Sequence, residues 1–161
     1  MQNHFREVSR KKQALSRAEC RALLQANLRG VLAVNGEDGY PYALPIDYYY
    51  DEAADTVYFH SGKTGYKVDM LQNNAKACFT VTGEGKREEG EWWLTIQSVI
   101  AFGKVETITD PVVIADVSRK LSLRFTDDLA YINAEIEKYL PATLLLALKI
   151  EHVTGKTVRE K

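Results

Sequence analysis

Apolar and polar positions along the chain form short runs typical of β-strands, separated by turn signals such as Gly36-Glu37-Asp38-Gly39. Pro41 and Pro45 fall in the second run and cannot donate to a strand ladder, so an open edge or a bulge is expected there. In the longest run, Gly103 predicts a bulge or a close backbone approach. The pattern predicts six strands, over residues 31–34, 40–50, 56–60, 75–82, 92–108 and 143–152.

Helical patterns lie between some of these runs. Ser16-Arg17-Ala18-Glu19 is a capping box that begins a short helix, and the apolar spacing over residues 65–74 predicts a second one. Two further helices are expected, one capped by Asp110 and one over residues 129–140. Strands in turn-linked pairs with few helices between them predict a mainly β protein of the α+β class. A small barrel with peripheral helices is the economical arrangement, because closure removes the sheet edges.

The composition is that of a globular protein, with 45% hydrophobic and 27% charged residues. The length of 161 residues fits one domain, predicted to span residues 1–161. Within it, residues 1–15 form a polar, basic N-terminal arm that is either mobile or a short helix. The formal net charge of −1 provides no basic character that would indicate nucleic-acid or membrane binding.

The cysteine content and the lengths of the apolar runs indicate the cellular compartment in which the protein is expected. Cys20 and Cys78 are too few and too far apart for a disulfide framework or a zinc site, so buried thiols in a reducing environment are expected. No apolar signal region opens the chain, and no apolar run is long enough to span a bilayer. A soluble cytoplasmic protein without a metal site is the expectation.

One segment carries candidate chemistry. The β-rich run Val57-Tyr58-Phe59-His60 ends in the small residues Ser61 and Gly62, and Gly65-Tyr66-Lys67 opens a helical pattern just beyond. Backbone N–H groups at a helix start attract an anion, small residues let it approach, and a lysine adds positive charge. The segment therefore indicates a phosphate-binding site, although an isolated lysine here would be read as an ordinary surface residue.

These residues resemble the pyridoxamine 5′-phosphate oxidase-like split-barrel flavoproteins, in particular the branch that includes nitroimidazole-resistance proteins. The resemblance extends from the Arg6 arm to Lys156. It is carried by five segments in a characteristic order: Gly39-Tyr40-Pro41-Tyr42-Ala43-Leu44-Pro45, Val57-Tyr58-Phe59-His60-Ser61, Gly65-Tyr66-Lys67, Ser98-Val99-Ile100-Ala101-Phe102-Gly103-Lys104-Val105-Glu106 and Ile150-Glu151-His152-Val153-Thr154-Gly155-Lys156.

The resemblance implies a six-stranded antiparallel split barrel that forms a homodimer and binds two molecules of flavin mononucleotide (FMN) in clefts between the subunits. It also implies the cofactor contacts. Leu44, Pro45 and Ile46 would run along the isoalloxazine ring. Phe59, His60 and Ser61 would lie beside the ribityl chain and phosphate. Gly65, Tyr66 and Lys67 would form the phosphate segment. Gln97, Ser98 and Val99 would come from the partner subunit.

Several of these residues have alternative interpretations. His60 is either a strand-end histidine satisfied by backbone groups or a hydrogen-bond donor to phosphate or substrate. Pro45 either protects an edge strand or supports a flat ring. Trp92 and Trp93 either cover the site or pack a dimer. Amine-oxidising relatives have a C-terminal tryptophan that is missing here, and Tyr66 replaces a phosphate-binding arginine, so pyridoxamine-phosphate oxidation is not expected.

The functional prediction is an FMN-dependent oxidoreductase of nitroreductase or flavin-reductase type that acts on a small molecule. The flavin performs the redox step, and His60 is the candidate proton donor. The first alternative is a non-catalytic protein that stores or senses flavin, or holds haem, on the same barrel. A deazaflavin in the same cleft is a third possibility, since related folds carry unlike functions.

Overall fold

The computed structural model describes residues 5–159, which form seven strands, four α-helices and three short 3-10 helices. The strands are β1 (Arg29–Asn35), β2 (Pro41–Asp47), β3 (Tyr49–Asp51), β4 (Thr56–Gly62), β5 (Lys76–Thr82), β6 (Thr95–Ile108) and β7 (Thr143–Arg159). The helices are α1 (Arg17–Ala26), α2 (Tyr66–Asn73), α3 (Pro111–Ser122) and α4 (Leu129–Tyr139). The predicted α+β, mainly β class is confirmed.

All the strands belong to one antiparallel sheet with the order β2–β1–β5–β6–β7–β4–β3. The two edge strands, β2 and β3, follow one another in the chain with only Tyr48 between them. The sheet must therefore curl until its two edges lie side by side. It forms an incomplete barrel, because β2 and β3 do not pair with each other.

The prediction of a single strand over residues 40–50 is wrong, and this is why the sheet has seven strands rather than six. Residues 41–47 pair with β1, whereas residues 49–51 pair with β4. The chain crosses from one edge to the other at Tyr48, which is fully buried and whose hydroxyl donates to the carbonyl of Leu24 at 2.7 Å. A run of aromatic residues has the same polarity pattern whether it pairs with one strand throughout or with two different strands in turn. The break at Tyr48 was therefore not visible in the sequence.

β6 and β7 form the longest pair in the sheet; β7 extends beyond its predicted end, whereas β6 begins at Thr95, three residues later than predicted. The final strand continues past residue 152 to Arg159, because β6 pairs with it along its whole length. The register of this pair shifts between Phe102 and Gly103. A β-carbon on Gly103 would lie 1.9 Å from the carbonyl oxygen of Lys149. Both features predicted for Gly103, a bulge and a close approach, are confirmed.

Two apolar clusters form the core, one on each face of β4. The larger fills the barrel and includes Phe59 and Phe79, whose ring centres are 5.0 Å apart. The smaller lies between the sheet and α3 and includes Tyr58, Ile114 and Val117. Because both faces of β4 are covered, its residues from Thr56 to Phe59 are all buried.

Local signals predicted the helix starts well. The Ser16–Glu19 capping box forms in full, and the Asp110 side chain accepts from the N–H of Val112 at 2.8 Å. Part of the predicted arm lies outside the described residues, but its end is held in place, since the N–H of Leu15 donates to the carbonyl of Gly155. Among the helices described, none is long and apolar enough to cross a membrane.

Candidate functional site

The first feature of the candidate site is the start of α2. Gly65 is its N-cap, with φ 126°, a backbone conformation that favours glycine, and no side chain caps the helix. Lys67 follows in the first turn, half-buried and without an acidic partner within residues 5–159. An uncapped helix start beside an unpaired lysine leaves backbone donors and a positive charge available to an anion.

Tyr66 connects this helix start to the loop after β1. Its hydroxyl accepts a hydrogen bond from the backbone N–H of Glu37 at 2.9 Å. Its ring meets the ring of Tyr42 edge to face, with centres 4.8 Å apart. These contacts set the orientation of Tyr66 and leave the hydroxyl proton available for donation.

The predicted residues of β4 point in different directions. Phe59 is fully buried in the barrel, so only its backbone can face a ligand. Ser61 is also buried, and its hydroxyl donates to the carbonyl of Gly62 at 2.9 Å. His60 lies on the other face of the strand, toward α3. This alternation follows from the two-residue period of a strand.

The segment Leu44-Pro45-Ile46 lies on the edge strand β2, as Pro41 and Pro45 led us to expect. Leu44 and Ile46 pack against the barrel core, and Pro45 is exposed. Pro45 is opposite Val31 of β1 and has no strand on its other side. The outer side of β2 therefore offers an exposed backbone edge.

The structure places Gln97, Ser98 and Val99 far from the predicted residues of β4, although Ser98 is only two residues along β6 from Ile100, which lies in the same row across the sheet as Pro45. Ser98 pairs with Lys156 of β7, whereas Ser61 pairs with Leu144, twelve residues earlier on the same strand. That separation corresponds to about 40 Å along an extended strand. Gln97 is exposed and donates to the Thr157 hydroxyl at 3.3 Å, and Val99 is fully buried.

His60 has a partner that the sequence did not reveal. Its Nε2 lies 2.8 Å from the Ser118 hydroxyl oxygen of α3, although the two residues are 58 positions apart. Burial lowers the pKa of His60, because desolvation penalises the charged ring. The imidazole is therefore neutral near pH 7, with one ring nitrogen protonated. The sequence feature that could have indicated this contact is Ser118 itself, a polar residue among the buried positions of α3 beside Val117 and Leu121.

His60 and Ser118 open into a cavity of about 460 Å³ between the end of β4, α3 and α4. Of the residues predicted to bind the cofactor, His60 and Ser61 line it, and the others do not. Much of the remaining wall comes from α4, including Tyr131, Glu135 and Tyr139. Sequence analysis missed this cavity, because it exists only once the two helices fold back over the sheet.

The family described as pyridoxamine 5′-phosphate oxidase matches residues 16–157. No curated protein matches the chain.

Several solved structures share the fold. One is a proposed 5-nitroimidazole antibiotic resistance protein from Bacteroides thetaiotaomicron, with 22% identity, TM-score 0.77, and 91% of this chain and 87% of that chain covered. An FAD-binding protein from Mycobacterium smegmatis has 21% identity and TM-score 0.66, over 92% of this chain and 99% of that one. An FAD- and haem-binding protein from the same organism has 26% identity and TM-score 0.63, over 93% and 74%. Since the family match covers most of the chain, this protein belongs to the pyridoxamine 5′-phosphate oxidase family.

Proposed function

We propose that this protein binds FMN and is an oxidoreductase of nitroreductase or flavin-reductase type. The observation that carries the proposal is the start of α2, where uncapped backbone N–H groups, the positive φ of Gly65 and the unpaired Lys67 coincide. This combination suits a phosphate. The bound flavin would supply hydride transfer, and the chain would bind it, orient it and exclude water.

The exposed edge of β2 suits the flat part of such a cofactor. Leu44 and Ile46 turn into the barrel, so contacts to a ring on the outer side would come from the backbone and from exposed Pro45. Pro45 has no N–H to leave unsatisfied beneath an apolar ring. His60 would act from the cavity side, where its imidazolium form would donate a proton to the bound substrate.

A homodimer would complete this site. Ser98 is separated from Ser61, near the end of β4, by twelve positions of β7, so in a cofactor role beside that strand end Gln97 and Ser98 would act on a second copy. The outer face of the sheet is suited to such an interface. Pro45, Val31, Thr80 and Ile100 lie side by side across β2, β1, β5 and β6. Val31 and Ile100 are 39% and 37% exposed, which leaves apolar surface that a partner would cover.

Light scattering coupled to size exclusion should therefore give a particle of twice the 18.2 kDa chain mass at micromolar concentration. The Ile100→Glu variant places a charge in the middle of the apolar row and should shift the protein toward a monomer. Thr107→Glu, at an exposed polar position seven residues further along the same strand and outside the apolar row, is the matched control. A wild-type protein of 18.2 kDa at this concentration would reject the dimer.

The Lys67→Ala variant should bind FMN more weakly and keep its fold. A charge-assisted hydrogen bond to phosphate contributes roughly 1.5–3 kcal/mol, so the dissociation constant is expected to rise about tenfold or more. Fluorescence titration of FMN measures the change. Lys63→Ala removes an exposed lysine of the loop that precedes α2 and should have little effect. Equal losses in the two variants would mean that only general positive charge matters, and unchanged affinity in Lys67→Ala would assign Lys67 to the solvated surface.

The absorption spectrum of the purified protein tests the class of cofactor. An FMN chromophore, identified by mass after release, supports the proposal. Released FAD is the specific alternative suggested by the FAD-binding proteins of similar fold, and a Soret band would indicate haem, as in the 26% identical relative. A protein that holds flavin but oxidises neither NADH nor NADPH with any nitroaromatic or free-flavin acceptor would be a storage or sensing protein.

A further inference from the structure

The cavity between α3, α4 and the end of β4 carries an inference beyond flavin binding. Its volume of about 460 Å³ lies within the range of small-molecule sites. Neither Lys67 nor the Leu44-Pro45-Ile46 segment lines it. It is therefore a chamber beside the proposed flavin cleft, and it can be tested without flavin.

The charges of the cavity wall exclude one class of ligand. Among the residues that the structure describes, no lysine or arginine lines it, and the carboxylates of Asp47 and Glu135 do. His60 provides no compensating charge, since its ring is neutral. A phosphate or carboxylate ligand would meet negative charge in a partly desolvated space, which is unfavourable.

Of the two carboxylates, Glu135 is the one whose negative charge is not balanced by a basic partner among the described residues. Asp47 forms an ion pair with Arg29 at 3.1 Å. Glu135 is half-buried and makes no ion pair or hydrogen bond with any residue from 5 to 159. The nearest basic residue in sequence on its helix, Lys138, lies instead over the ring of Tyr139, with its Nζ 4.7 Å from the ring centre.

Aromatic side chains line the same cavity as this carboxylate. Tyr131 and Tyr139 lie one helical turn before and after Glu135 on α4, and they are 58% and 49% exposed. Phe125, on the loop after α3, also lines the cavity and is 49% exposed. Exposed rings beside an unpaired carboxylate attract a positively charged group with an apolar body.

We propose that this cavity binds an amphipathic organic cation, a protonated amine on a flat apolar body, with the amine at Glu135 and the body among Phe125, Tyr131 and Tyr139. The polar pair formed by His60 and Ser118 also lines the cavity and offers a hydrogen bond to the ligand. If the flavin proposal also holds, the cavity would be the substrate chamber, since His60 and Ser61 are common to both sites.

Three probes with one aromatic body and different charges test the inference: tryptamine, tryptophol and indole-3-propionate. Isothermal titration calorimetry is performed at pH 7.5 and low salt, on protein with and without added FMN. We expect tryptamine to bind at least about tenfold more tightly than indole-3-propionate, with tryptophol between them. The flavin-free titration separates this inference from the proposed function, because it is expected to succeed even if FMN does not bind.

The matched variants are Glu135→Gln and Glu137→Gln, since Glu137 is exposed on the same helix and does not line the cavity. Glu135→Gln should weaken tryptamine binding about tenfold and leave tryptophol within about twofold, whereas Glu137→Gln should change neither. Unchanged tryptophol binding also shows that the variant is folded. The inference is overturned if no probe binds saturably, if indole-3-propionate binds best, or if the two variants lose tryptamine affinity equally.

Discussion

The His60→Ala variant is expected to retain its flavin and to reduce a nitroaromatic test substrate about 10²–10⁴-fold more slowly than the wild type, the range that general acid–base catalysis provides. His60 is on the cavity side of β4, with Nε2 2.8 Å from the Ser118 hydroxyl. A histidine acts as an acid through its imidazolium form, and burial lowers the pKa of His60, so the difference from the wild type should widen as the pH falls toward that pKa. Stopped-flow measurement of flavin reoxidation isolates the step.

Two controls separate proton donation from positioning. His60→Gln keeps an amide that can bond to Ser118 but cannot act as an acid, so its rate should stay low. Ser118→Ala removes the partner and leaves the imidazole, so most of the activity should remain, with a pH profile shifted along with the histidine pKa. If His60→Ala instead loses flavin and aggregates, His60 has a structural or phosphate-binding role and the catalytic one is withdrawn.

The Gly103→Ala variant is expected to lower the free energy of unfolding by about 3 kcal/mol or more. The new β-carbon would lie 1.9 Å from the carbonyl oxygen of Lys149 and 2.8 Å from its carbonyl carbon. Both are backbone atoms of the long β6–β7 pair, so no side-chain rotation can relieve the overlap. For a chain of this length the melting temperature should fall about 2–4 °C per kcal/mol.

Gly62→Ala is the matched control, because it also places alanine in a strand of the same sheet. A β-carbon there has its nearest neighbour, the carbonyl oxygen of Thr64, at 3.9 Å. Urea unfolding at one fixed protein concentration compares the two, since a dimer makes stability depend on concentration. Equal midpoints for Gly103→Ala and the wild type would mean that the bulge moves freely to accept the methyl group.

Features that depend on neighbouring residues in the chain could be predicted. The capping box at Ser16 and Glu19 formed as expected, because its donors and acceptors lie within three residues of each other. Gly103 was identified because a glycine within a long β-run has few explanations besides a bulge or a close approach. The start of α2 at Gly65 could also be predicted, because a glycine and a change from strand-like to helical spacing of the apolar residues mark it within a few positions.

Features that depend on which surfaces meet were decided by the tertiary structure. Thr56 to Phe59 are buried on both faces of β4, so polarity alternation could not tell which way His60 points. Its contact with Ser118 arises because α3 packs across that strand. The break at Tyr48 and the distance between Ser61 and Ser98 follow from the curl of the sheet and from strand order. A linear sequence encodes the period of each element and the chemistry at its ends, but pairing and packing between distant elements set the geometry of the site.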